Sequence, residues 1–241
     1  RCGCFSLDNA VNTNRKEYAP VMWNDKLIFT SSWNIKNDTF RYLPAYLYYT
    51  DWCDTCFKDK STGCCRSNIT LDSGWSCPKI LPFGNNLTRI AQGGMTIAGN
   101  YGIVSAESER INSSSDLFDL YEFEIIGNQF GEPKVLPEPL NLKDYWDSQP
   151  SLSPTGNYLF FISTRPAPQD NIPKDNNLNI WCSKRSGNSW SIPIFLPEPI
   201  NSASNDETPH FGSDGYFYFS SNKEGNYRIY RVQNLILIKY L

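Results

Sequence analysis

The sequence predicts an all-β fold, a β-propeller of four-stranded antiparallel blades, and three observations carry the prediction. One pattern recurs along the chain, strand and turn formers dominate, and no stretch shows helical periodicity. The clearest copy is 190 to 223, WSIPIFLPEPINSASNDETPHFGSDGYFYFSSNK. It holds an extended segment (Trp190, Pro193, Leu196), a Pro/Asn connection (Pro197, Pro199, Asn201) and an acid before a proline (Glu207, Pro209). A turn ending at Gly215 and an aromatic strand, Tyr216 to Ser221, complete it. Residues 130 to 165 repeat the order with Phe130, Pro133, Leu136, Pro137, Pro139, Asn141 and Pro150, a turn at Ser153-Pro154-Thr155-Gly156 and a strand over 157 to 163. A third copy has Trp75, Pro78, Leu81 and Pro82, then a degraded continuation through Gly93-Gly94 to the strand Tyr101 to Ser105. The leucines lie 55 and 60 residues apart, so one supersecondary unit is used several times.

Composition agrees with many short strands and tight turns. Of 241 residues, 15% are aromatic, 15 are Gly, 16 are Pro and only two are Met. The net charge is −3 and basic runs are absent, so the electrostatic footprint of nucleic-acid or anionic-membrane binding is missing. No apolar run approaches the roughly 18 residues of a membrane span, and no signal peptide is visible at Arg1, which suits a mature form or a fragment.

In chain order, 1 to 16 fit the repeat as a closing outer strand. Leu7 to Asn12 match Leu196 to Asn201, and Glu17 and Pro20 stand as Glu207 and Pro209 do. The first blade spans 17 to 81: strands YAPVMW and KLIFTSSW joined at Asn24-Asp25, AYLYYTD, a Cys-rich insertion over 52 to 73, and GWSCPKIL. The second spans 82 to 136, with strands at 95–97, 101–105, 117–125 and 130–136. The third spans 137 to 196, with strands at 148–152, 158–163, 178–183 and 190–196. The last spans 197 to 241 and shows three strands, at 208–211, 216–221 and 227–232. Its exposed edge calls for a fourth strand, and pairing residues 1 to 7 with 228–232 of the same chain closes the ring. Further blades, cryptic within 34 to 74 or beyond Leu241, are one alternative, and donation of the same strand to a neighbouring molecule in a head-to-tail assembly is another.

Eight cysteines bear on the compartment: Cys2, Cys4, Cys53, Cys56, Cys64, Cys65, Cys77 and Cys182. Cys53 and Cys56 have C-x-x-C spacing, but Cys64 and Cys65 are adjacent and the only histidine, His210, lies in another repeat, so disulfides are expected rather than zinc. Sequons at Asn37, Asn68, Asn86 and Asn112 add candidate N-glycosylation sites in polar stretches. Together these point to a secreted or cell-surface setting, with the periplasm as the alternative. The loop RPAPQDNIPKDNN raises structural calcium, yet it lacks the D-x-[DN]-x-[DN]-G spacing and reads as a solvated connection, so no metal or cofactor is expected.

The run Pro150, Ser153-Pro154-Thr155-Gly156, Ile180-Trp181, Trp190-Ser191-Ile192-Pro193, Leu196, Ile200-Asn201, Glu207, Pro209, Asp214-Gly215 and Ile229-Tyr230 resembles the TolB-like propeller repeat. That repeat occurs in bacterial cell-envelope propellers accompanying OmpA-type domains. The resemblance covers 136 to 232 well and 1 to 33 fairly, and it implies a scaffold or binding platform rather than an enzyme. No G-x-S-x-G motif is present. The expected function is therefore a non-catalytic structural or protein-interaction module, partnered or self-assembling through blade edges. The binding-class alternative is a lectin-like propeller presenting Trp33, Trp52 or Trp146 to glycans. The enzyme-class alternative is a two-carboxylate glycoside hydrolase drawing on Asp147, Glu207 and Asp214.

Overall fold

The computed structural model describes residues 17–32, 46–58, 65–66, 72–76, 78–83, 92–108, 117–168 and 177–233. The closing strand, the four sequons, Cys2, Cys4, Cys64, Cys77 and the calcium-like stretch 169–176 lie outside them. Four antiparallel sheets are arranged as the blades of a β-propeller. Blade 1 is β1 (Glu17–Trp23), β2 (Lys26–Ser31) and β3 (Tyr46–Lys58), with β4 (Cys65–Arg66), β5 (Asp72–Trp75) and β6 (Lys79–Ile80) all paired to β3. Blade 2 is β7 (Gln92–Ala98), β8 (Tyr101–Glu107), β9 (Phe118–Ile126), β10 (Gln129–Phe130) and β11 (Lys134–Val135). Blade 3 is β12 (Asp147–Leu152), β13 (Tyr158–Ser163), β14 (Asn179–Ser186), β15 (Ser189–Trp190) and β16 (Ile194–Phe195). Blade 4 is β17 (Asp206–Phe211), β18 (Tyr216–Ser221) and β19 (Arg228–Gln233). The innermost strands adjoin in the series β1, β7, β12, β17, and among the described residues β17 makes no comparable contact with β1.

Local chemistry explains the elements. Asn24 and Asp25, at φ 44° and 60°, make the two-residue hairpin turn that left-handed residues favour. In β1, β12 and β17 the ladder slips at the same place, just before Pro20, Pro150 and Pro209. Proline brings no ladder N–H, so a bulge forms, and Ala19, Gln149 and Thr208 take positive φ there. The fourth strands, expected as single runs, are each broken in two. Pro133 separates β10 from β11 and Pro193 separates β15 from β16, both prolines being buried. The Cys-rich stretch also departs from a plain loop: β3 runs on through Cys53 and Cys56, and β4 and β5 pair back onto it.

The core lies between blades. Ile28, Leu47 and Leu81 meet Val104 and Tyr121; Leu120, Leu136 and Leu140 meet Leu159 and Phe161; Phe160, Ile180, Leu196 and Ile200 meet Phe217 and Phe219. Middle strands are thus covered on both faces, which is why β2 and β13 read as nearly continuous apolar runs. Cys182 corrects an expectation. It is a free thiol, 1% exposed, in the core between blades 3 and 4. Its β14 position places it in the cluster that holds Phe160, Phe217 and Phe219, and it packs as a small hydrophobe.

Candidate interaction surface on the fourth blade

Strand register makes the blades comparable residue by residue. The first inner-strand position faces the last position of the middle strand: Glu17 with Ser31, Asp147 with Ser163, Asp206 with Ser221. Asp206, not Glu207, is therefore the counterpart of Glu17, which corrects the sequence alignment. The next step across the sheet aligns Leu47, Leu120, Ile180 and Ile229, each followed by an aromatic: Tyr48, Tyr121, Trp181 and Tyr230.

Two polar devices recur among the blades. Asn201 Oδ1 accepts the N–H of Ile180 at 2.7 Å, and its Nδ2 donates to the carbonyls of Ile180 (2.8 Å) and Leu196 (2.6 Å). Asn141 does the same for Leu120 and Leu136, at 2.8, 2.9 and 2.7 Å. In blade 1, Gln92 Oε1 accepts from Leu47 N–H at 2.9 Å instead, in keeping with the degraded repeat there. The second device is the buried acid. Asp147 accepts from the backbone N–H of Leu142 (3.0 Å) and from Arg165 Nη2 (2.7 Å), and neither member of the ion pair is more than slightly exposed. Arg165 also donates to the carbonyls of Pro139 and Leu140 and stacks near Phe161 and Trp181. Burial pushes the Asp147 carboxyl above the usual range while Arg165 draws it down. Asp206 binds Ser202 through Oδ2, at 2.6 Å to N–H and 2.9 Å to the hydroxyl. Its Oδ1 has no hydrogen-bond partner, because Lys223 stands at the position of Arg165 and lies over the Tyr230 ring, and burial raises its carboxyl.

Glu207 is therefore not a repeat element. It accepts from Tyr227 Oη and from Gln149 Nε2 (3.3 Å), while Gln149 Oε1 accepts the Thr208 N–H at 2.7 Å, so blade 3 is latched to blade 4 beside the axis. Each acid proposed for catalysis has a protein partner. Asp147 is held by Arg165, Glu207 by Gln149 and Tyr227, and Asp214 by Tyr218 Oη at 2.5 Å, which lowers the Asp214 carboxyl.

The face of blade 4 turned away from blade 3 is different. On that face blade 3 presents Phe160, Ile162, Ile180 and Cys182, all buried under blade 4. The matching residues of blade 4 are Tyr218, Ser220, Ile229 and Arg231. Tyr218 and Ser220 are half-buried, Arg231 is exposed with its guanidinium 4.3 Å from the Tyr216 ring centre, and Ile229 is 79% exposed. Leu47, Leu120 and Ile180 are 0% exposed. His210 is exposed near the same face.

The repeat-defining residues divide by role. Pro78, Pro133, Pro150, Pro193, Pro209 and Gly156 are buried, Phe130 and Trp190 are half-buried in the cores, and Pro20 and Gly215 are exposed. Trp75, Cys53, Cys56 and Cys65 are placed by backbone alone, on strands paired to or part of β3. Of the tryptophans considered for glycan stacking, Trp146 is 36% exposed and lies beside Phe118 with ring centres 5.8 Å apart; Trp33 is outside the described residues and Trp52 is placed by backbone alone.

No family model matches the chain, and no curated protein does. Among solved structures it is similar to a puromycin-hydrolysing peptidase of Mycobacterium tuberculosis, at 10% identity over 94% of this chain and 39% of that one, TM-score 0.43. It is similar to a Trypanosoma rangeli sialidase in complex with the inhibitor DANA, at 14% identity over 90% of this chain and 36% of that one, TM-score 0.45. A thermostable family-43 glycoside hydrolase is similar at 12% identity over 95% of this chain and 92% of that one, TM-score 0.44. The chain spans well under half the length of the first two.

Proposed function

We propose that this β-propeller, of the TolB-like repeat type, is a non-catalytic structural or protein-interaction module working outside the cytoplasm at a cell surface. One observation carries the interaction reading: Ile229 is 79% exposed at a position that is sealed in the other three blades. Around it stand Tyr216, Tyr218 and Arg231, residue types that supply binding energy at protein interfaces. The extracytoplasmic part of the reading rests on the cysteine cluster and the sequons.

Sedimentation of the purified chain tests it, with Ile229→Asp as the variant and a panel of chromogenic glycosides assayed alongside. Association that Ile229→Asp abolishes supports the reading. A chain that stays monomeric at all concentrations, or one that hydrolyses a glycoside in a manner lost in Glu207→Gln, overturns it.

A further inference from the structure

Resting on that interaction reading, we propose that the open edge of β19 receives residues 5–12 of a second copy of this chain, giving head-to-tail self-association. The edge is defined by comparison. In blade 3, Ile180 turns its N–H and C=O away from β13, and both are taken by Asn201, with Leu196 N–H adding a bond to the same carbonyl. Ile229 holds that place in blade 4, where no strand among the described residues pairs with β19 beyond β18 and the Ile229 residue is 79% exposed.

The occupant is specified by spacing. Leu136, Leu140 and Asn141 serve blade 2, and Leu196, Ile200 and Asn201 serve blade 3. Leu7, Val11 and Asn12 reproduce the same offsets in the N-terminal segment. Transferring the register of Trp181 with Phe195 and Cys182 with Ile194 sets Ser6 opposite Tyr230 and Phe5 opposite Arg231. Leu7 N–H then bonds Ile229 C=O, Asn12 closes on Ile229 and Leu7, and Leu7 and Val11 cover the Ile229 side chain. This is strand addition at a sheet edge, with main-chain bonds supplying affinity and the leucine and asparagine supplying register.

The copy that donates the segment follows from the blade order. Asn201 lies five residues before Asp206, the first residue of β17, and β17 packs beside β12 of the blade that Asn201 clamps. Asn12 lies five residues before Glu17, the first residue of β1. A segment that clamps β19 must therefore deliver a β1 beside β17. Within one chain β1 adjoins β7 and makes no comparable contact with β17, so the arriving β1 belongs to another copy. The contact is heterologous: the donor uses its N-terminal segment and the acceptor its last blade.

The test pairs a donor-defective variant, Asn12→Ala, with an acceptor-defective one, Ile229→Asp. Phe5→Pro, which removes the N–H that the proposed pairing sets toward Arg231, is a second donor variant. Hydrogen exchange at Ile162 and Ile180 reports that each remains folded. The expected result is that each variant alone is monomeric and that a mixture of the two forms a one-to-one dimer and stops, because one productive contact is left. In the unmodified chain the Ile229 amide is protected only at concentrations where the assembly exists. Protection of Ile229 in a monomer at every dilution, lost in Asn12→Ala, assigns the segment to the same chain and overturns the proposal. Association that needs Ile229 but neither Phe5 nor Asn12 also overturns it and leaves the interaction reading standing. A monomer with an unprotected Ile229 amide overturns both.

Discussion

Asn201 holds both backbone groups of Ile180: its Oδ1 takes the N–H at 2.7 Å and its Nδ2 gives to the C=O at 2.8 Å, with both residues buried. One side chain thereby continues the pairing of β14 one step past the end of β16, where the chain turns away after Leu196. Truncation in Asn201→Ala strips the clamp from the Ile180 N–H and the Leu196 carbonyl in a dry site and leaves the Ile180 carbonyl only the long Leu196 N–H contact, at a cost of about 3 kcal/mol. Asn201→Asp recovers none of it, since a carboxylate cannot donate to the Ile180 and Leu196 carbonyls. Urea unfolding of both variants checks this, and a loss below about 1 kcal/mol in Asn201→Ala refutes the clamp.

Arg165 and Asp147 make a second prediction. Removing the guanidinium in Arg165→Met strands a buried carboxylate and the carbonyls of Pro139 and Leu140, so a loss of about 3 to 5 kcal/mol is expected. The double change Arg165→Met with Asp147→Asn recovers part of it, because the uncompensated charge goes. Equal losses in the single and double variants, measured by denaturant midpoints, would count against the ion pair as the source.

Cys182 supplies the third. Burial pushes its thiol well above the usual range, and at 1% exposure no reagent reaches it. A thiol reagent is expected to leave Cys182 unlabelled in the folded protein and to modify it in denaturant without prior reduction, as peptide mass mapping shows. Labelling of Cys182 under native conditions, or its recovery in a disulfide peptide, contradicts the structure. With Cys182 unpaired, seven cysteines remain, an odd number, so a second free or intermolecularly bonded sulfur is expected in the same map.

Much of the architecture was legible because its causes are local. Gly-containing turns, prolines at fixed offsets and strand composition place most of the strands within a few residues. The clamp was legible in principle, since Asn12, Asn86, Asn141 and Asn201 each follow a leucine by five residues, yet only the structure shows what Asn141 and Asn201 bind. The alignment of Glu17 with Glu207 failed because acid and proline were matched without the bulge register, which identifies Asp206. The open face shows only in the structure: YFYFSS alternates half-buried and buried residues, whereas YLFFIS is buried throughout after its first residue, so β18 is covered on one side only. Which blade lacks a neighbour is a non-local property, and composition does not carry it.

Asp206 gives the last prediction, on pH. Its carboxyl is raised from the ordinary 3.8 by burial, with Ser221, Ser202 and Lys223 opposing the shift. A raised acid binds its proton more tightly in the folded state, so between the ordinary and the raised value the folded chain holds more protons than the unfolded one. Stability from this group is then present below the ordinary value and is lost as pH rises through the raised one. Asp147, raised the same way, adds to the slope in the same direction. Asp206→Asn abolishes the Asp206 share, flattening the fall in unfolding free energy as pH rises above the ordinary value. Lys223→Arg acts from the other side: a guanidinium at this position can donate to Asp206 Oδ1 as Arg165 does to Asp147, lowering the carboxyl and raising stability at neutral pH by about 1 kcal/mol. Denaturation across that pH range in the three proteins decides it. A profile for Asp206→Asn that parallels the unmodified chain shows that Asp206 titrates alike in both states and removes the argument.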